Sequence, residues 1–115
     1  MKHFLPLLLF VSIVFPQKEY NTNDLIQRDN ELWTVKFSDD PITGKVYGYY
    51  GEVKPYKKVY VGNIVNGKKE GKWTFWYHQT GTKQIEENFK DGKLNGLNTH
   101  WYESGQKFYE ITYKD

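Results

Sequence analysis

His78 and His100, with Glu103 close behind the second, are the residues whose types could hold a metal ion. Imidazole and carboxylate suit zinc, but such a site needs three or four donors converging on one point. His78 falls in a predicted loop and His100 in a predicted strand, so the two do not occupy matched positions. Glu86 and Glu87 are adjacent, and neighbours on a strand point to opposite faces, so they cannot work as a general acid/base couple. Glu86 and Glu110 share a face, where Lys83 and Lys107 make them a solvated charge ladder worth at most about 1 kcal/mol. Asp39-Asp40 stands before Pro41 and reads as a turn. No phosphate loop, nucleophile elbow or nucleotide fingerprint occurs. The absence of cysteine removes a disulfide framework, a thiolate metal site and a lipid-anchoring acylation site. The expectation is a protein that is not an enzyme, with no catalytic residue, no metal and no cofactor.

Aromatic side chains carry the remaining chemistry. They make up 18% of the chain, against 38% for all hydrophobic residues, and aliphatic residues are sparse beyond the first fifteen positions. Such a composition favours a flat structure covered by rings over a thick aliphatic core. Trp73, Phe75 and Tyr77 project from one face of a strand, and His100 and Tyr102 belong to the same row one unit later. Large rings on an open face mark partner surfaces, so these five are the candidate partner surface. Trp76 and Trp101 lie on the opposite face and are expected to stack side by side. With Phe89 and Tyr113 they form a structural ladder whose cross-strand pairs contribute about 0.2–1 kcal/mol each.

The strands that must position these rings come from an internal repeat. Gly71 matches Gly96, Trp76-Tyr77 matches Trp101-Tyr102, Gly81 matches Gly105 and Lys83 matches Lys107. "NGKKEG" at Asn66–Gly71 matches "DGKLNG" at Asp91–Gly96, and Tyr49-Tyr50 marks an earlier, degenerate copy. The period is 24–25 residues, and each unit predicts two strands, Lys72–Tyr77 and Lys83–Phe89 in the clearest copy. Gly67, Gly71, Gly81, Gly92, Gly96 and Gly105 are the turn glycines. "Gly-Lys-x-x-Gly" reads as a connector between hairpins. The fold class is all-β, an elongated antiparallel sheet of successive β-hairpins. Its organisation is an N-terminal segment, 18–43, with a Trp-containing strand, then hairpins at about 44–67, 71–92 and 96–115.

The first residues read differently. "MKHFLPLLLFVSIVFPQKEY" opens with Lys2 and His3, runs apolar from Phe4 to Phe15 and turns polar at Gln17. That run is shorter than the roughly twenty residues a membrane span needs, and its basic start fits a signal peptide, 1–17, cleaved near Pro16–Gln17. The expected location is therefore outside the cytoplasm: periplasmic, outer-membrane-associated or secreted. A net charge of +2, mixed along the chain, predicts no nucleic-acid partner.

From Asn66 to Asp115 the chain resembles the bacterial MORN-repeat variant proteins, whose unit reads Asn-Gly-x-x-x-Gly, a strand ending Trp-Tyr, then a glycine turn. Some of those chains carry the label YwqK-type antitoxin. "LIQRDNELWTVKFSDDPITGKVYGYY", Leu25–Tyr50, resembles the module that often precedes these repeats. The resemblance implies an extended sheet of MORN-like hairpins serving as a protein-interaction or lipid-associated module. The expected function is a non-enzymatic exported scaffold that binds another protein, with oligomers through edge strands as a further outcome. Two alternatives are a membrane-surface or glycan-binding module using the aromatic face, and a cytoplasmic antitoxin-like protein. Only the last would need a cytoplasmic partner, and the leader argues against it.

Overall fold

The computed structural model describes residues 17–114, so the expected leader lies outside the described residues apart from Gln17. The described chain is all-β. Its strands are β1 (Glu19–Asn21), β2 (Leu25–Gln27), β3 (Trp33–Val35), β4 (Gly44–Tyr50), β5 (Lys57–Val65), β6 (Lys68–Trp76), β7 (Lys83–Lys90), β8 (Lys93–Leu94), β9 (Gly96–Trp101) and β10 (Lys107–Tyr113). One single-turn 3-10 helix, Thr22–Asp24, interrupts them. The main sheet runs β1-β4-β5-β6-β7-β9-β10, with β8 also on β7, in a molecule whose extents are 68 × 34 × 34 Å.

Neighbours in this sheet are antiparallel except β1, which lies parallel to β4. A parallel pair needs a long crossover, and residues 22–43 provide it. That crossover holds β2 and β3, which pair with each other as a separate two-stranded sheet. Apolar side chains from the crossover meet the main sheet at one place. Leu25, Ile42, Val46, Val61, Ile64 and Trp73 form the buried core there, with Trp33, Val35, Phe75 and Phe89 packed around it. The core therefore sits towards the N-terminal end of the sheet.

Two turns set the hairpin register. Asn66-Gly67 (φ 49° and 81°) joins β5 to β6, with Val65 opposite Lys68. Asp91-Gly92 (φ 54° and 81°) joins β7 to β8, with Lys90 opposite Lys93. Positive φ at both central residues is the type I′ geometry that suits the twist of a two-residue hairpin. Lys68–Glu70 and Lys93–Leu94, expected as connectors, are strand segments because these tight turns send the chain directly back along its own path.

At Gly71 (φ 73°) and Gly96 (φ 100°) the backbone kinks in the left-handed region, where any side chain would be strained. Gly71 is where β6 changes neighbour. Lys68–Glu70 pairs with β5, and Gly71–Trp76 pairs with β7.

Candidate functional site: a cleft between diverging strands

The change of neighbour at Gly71 opens the sheet. β5 and β6 pair only through Asn63–Val65 and Lys68–Glu70. Among the described residues, the rest of β5, Lys57–Gly62, pairs with β4 alone, and β6 beyond Gly71 pairs with β7 alone. Trp73 occupies the place where the two strands diverge. Its indole N–H donates to the Asn63 carbonyl at 3.1 Å, and its ring lies against Gly62. A Cβ on Gly62 would stand 2.3 Å from two of the indole carbons, so only glycine fits there. One unit later Asn98 stands where Trp73 does. There the strands come together again, with Ile85 opposite His100 and Glu86 opposite Thr99.

The cleft holds two adjoining cavities that meet at Tyr60. The smaller, about 300 Å³, is bounded by Lys45, Gly62, Asn63, Lys72 and Thr74. The larger, about 610 Å³, is lined by Tyr50, Lys57, Lys58, Trp76, Tyr77 and His78. His78 stacks on Tyr50 with centroids 4.7 Å apart, and Trp76 meets the same ring edge-on at 5.7 Å. Burial pushes the Tyr50 hydroxyl up, and a hydrogen bond from the Trp76 backbone works against that. The floor is pinned to the next hairpin. The Tyr77 hydroxyl donates to the Trp101 carbonyl at 2.6 Å, and Thr82 Oγ1 donates to the Glu103 carbonyl at 3.1 Å.

The cleft is basic, and one of its walls is tied by a carboxylate from β1. Lys58 Nζ donates to Glu19 Oε2 at 2.8 Å, and the Tyr60 hydroxyl donates to Glu19 Oε1. Lys58 and Tyr60 hold the Glu19 carboxyl below its ordinary value, and Glu19 in turn raises both partners. In the two later hairpins the corresponding lysine finds a glutamate three residues on, Lys83 with Glu86 at 2.9 Å and Lys107 with Glu110 at 2.6 Å. In β5 that position is the buried Val61, so Lys58 reaches across the sheet to Glu19.

A separate cavity of about 190 Å³ lies under the crossover, between Leu25, Trp33, Trp73 and Phe75, beside Lys69. The Lys69 ammonium faces three rings, Trp73 at 4.7 Å, Phe89 at 5.1 Å and Trp33 at 5.2 Å. Burial pushes its amine down, against the opposing pull of Glu87, and the ring faces favour the charged form as well.

The five residues expected to form one partner surface are dispersed. Trp73 is corrected: it is 2% exposed and belongs to the core, because the crossover folds over its face of the sheet. Phe75 is half-buried beside it. Tyr77 lines the cleft. His100 stacks on Tyr109 at 4.3 Å in the last hairpin, where Tyr102 is 50% exposed and meets Phe108 edge-on at 5.0 Å.

The ladder is also corrected. Trp76 and Trp101 are two strands apart, because each unit contributes two strands and β7 runs between β6 and β9. Lys83 stands between them, paired with Trp76 and 5.9 Å from the Trp101 ring centre. Phe89 meets Trp73 edge-on at 6.5 Å in the core, and Tyr113 pairs with Gly96. Gly81 and Gly105 close equivalent loops, each donating its N–H to the tyrosine that begins the turn, Tyr77 or Tyr102. Glu19, Tyr50, Tyr60 and Gly62, which build the cleft, were not singled out as site residues by the sequence. The one signal for them was the missing glutamate three residues after Lys58.

Comparison with protein-family models, curated proteins and solved structures returned no match to this chain.

Proposed function

We propose that the chain is an exported, non-enzymatic scaffold of MORN-like hairpins that binds another protein through the cleft between β5 and β6. The observation that carries this reading is the internal strand edge at Lys57–Gly62, which among the described residues has no ladder partner on the side away from β4 and lies among Tyr50, Trp76 and Tyr77. Open strand edges recruit other chains, and half-wet tyrosine and tryptophan favour contact surfaces. Export rests on the apolar N-terminal run, and the MORN-like identity rests on the repeated Gly and Trp-Tyr spacing.

A photo-crosslinking residue at Tyr77, carried by the full chain in a Gram-negative host, tests the proposal. The expected outcome is one discrete cross-linked protein in the envelope fraction, lost when the crosslinker is moved to Lys93. A protein that remains cytoplasmic with its leader intact refutes the export reading and favours the antitoxin-like alternative. The stacked Tyr50–His78 pair beside Trp76 also gives the glycan reading a physical basis. Retention on a polysaccharide column, with no protein adduct at Tyr77, would favour it.

A further inference from the structure

We infer that the cleft receives an extended acidic peptide segment of its partner, which adds to the free side of β5 as a strand; this rests on the protein-binding reading above. The edge from Lys57 to Gly62 is six residues long, which at about 3.3 Å per residue spans roughly 20 Å. Its unpaired backbone groups match those of another extended chain, and this is how strand addition obtains affinity. On the opposite wall, β6 beyond Gly71 has no strand partner on the side facing β5 among the described residues, and only its Trp76 backbone is engaged, by the Tyr50 hydroxyl. An incoming segment therefore meets backbone on both flanks. Because β5 and β6 are antiparallel, the segment runs antiparallel to one and parallel to the other.

The side chains define the chemistry of the segment. Lys45, Lys57, Lys58 and Lys72 line the two cavities, and no carboxylate among the described residues does. Glu19 holds Lys58, and Glu86 is shared between Lys83 and Lys72. Lys57 makes no ion pair among the described residues, and Lys45, which adds to the positive field that keeps Glu19 ionised, lies over the Tyr60 ring at 5.2 Å. Asp and Glu side chains complement such a wall, while Lys and Arg are repelled by it.

The test is an array of random decapeptides probed with the labelled full-length protein. The bound set should be enriched in Asp and Glu. Its best member should lose at least tenfold in affinity against the double variant Lys45→Glu/Lys57→Glu, whose two changes lie at exposed side chains, and lose nothing against Lys93→Glu outside the cleft. N-methylation of alternate amides in that peptide removes its backbone donors and should abolish binding. A bound set without acidic enrichment overturns the assignment of charge, and tolerance of N-methylation overturns strand addition. A blank array alongside a Tyr77 cross-linked protein overturns this inference but leaves the scaffold standing. A blank array with no adduct removes both.

Discussion

Gly62→Ala tests whether Trp73 and Gly62 together set the geometry of the cleft. The added methyl would lie 2.3 Å from two indole carbons and 2.7 Å from a third, where ordinary contact begins at 3.4 Å, so the ring must retreat by roughly 1 Å. Overpacking a closed core costs about 1–3 kcal/mol. The ring's hydrogen bond to the Asn63 carbonyl is stretched at the same time, which adds about 0.5–1.5 kcal/mol. The expected loss is about 1.5–4.5 kcal/mol. Urea unfolding followed by tryptophan fluorescence reads it, and with a slope of about 1–3 kcal/mol per molar the midpoint falls by about 0.5 M or more. Trp73→Leu removes the obstacle, at the cost of its own cavity. In that background Gly62→Ala should be neutral or slightly stabilising, since glycine in a strand is less favourable than alanine. The reasoning is refuted if Gly62→Ala costs less than about 0.5 kcal/mol, or costs the same with and without the Trp73 ring.

The remaining predictions concern charge and the last hairpin. Glu19 has a depressed folded pKa, held down by Lys58 and Tyr60, so its contribution is present above the ordinary carboxylate range and is lost as pH falls through the depressed value. The stability gap between wild type and Glu19→Gln should therefore exist at pH 7 and close in acid; a gap independent of pH would count against the Lys58–Glu19 tie. Burial lowers the folded pKa of Lys69, so its charging penalty is full at neutral pH and is relieved as pH rises through that lowered value. Lys69→Met should be at least as stable as wild type at pH 7, with the advantage shrinking towards pH 10, and a constant offset would show that burial is not the dominant influence. Trp101 is half-buried, so Trp101→Ala should cost about 1–2 kcal/mol, less than the 3–5 kcal/mol of a fully buried ring. Hydrogen exchange should speed up in β9 and β10 and not in β4 and β5; a global increase would contradict this.

What could be read from the sequence was local. Asn66-Gly67 and Asp91-Gly92 state their turns in two residues, and Gly81 and Gly105 mark loops that the structure closes with matching hydrogen bonds. Glu86 and Glu87 do face opposite ways, the first towards Lys72 and Lys83 and the second towards Asn98. What the sequence hid was long-range or depended on register. Trp73 reads as the member of an open row until the crossover, whose Leu25 precedes it by 48 positions, covers that face. Register shifts between Val46 and Tyr47 and between Phe75 and Trp76 break the period-two assignment of faces. Counting by repeat placed Trp76 beside Trp101, although the strand between them belongs to the same unit. The cleft itself is an absence of pairing, and no residue type announces that.

The off-centre core also has a mechanical consequence. A load applied between β1 and β10 meets two different kinds of resistance. At the β10 end, antiparallel hairpins with little buried beneath them present their hydrogen bonds in series, and these break in succession at low force. At the other end, the crossover with its paired β2 and β3 covers Val46 and Ile64, and the core must yield as a block. Tension would therefore lengthen the molecule in steps of one hairpin, peeling towards Gly71, and would leave the cleft and its lysine-lined walls until last.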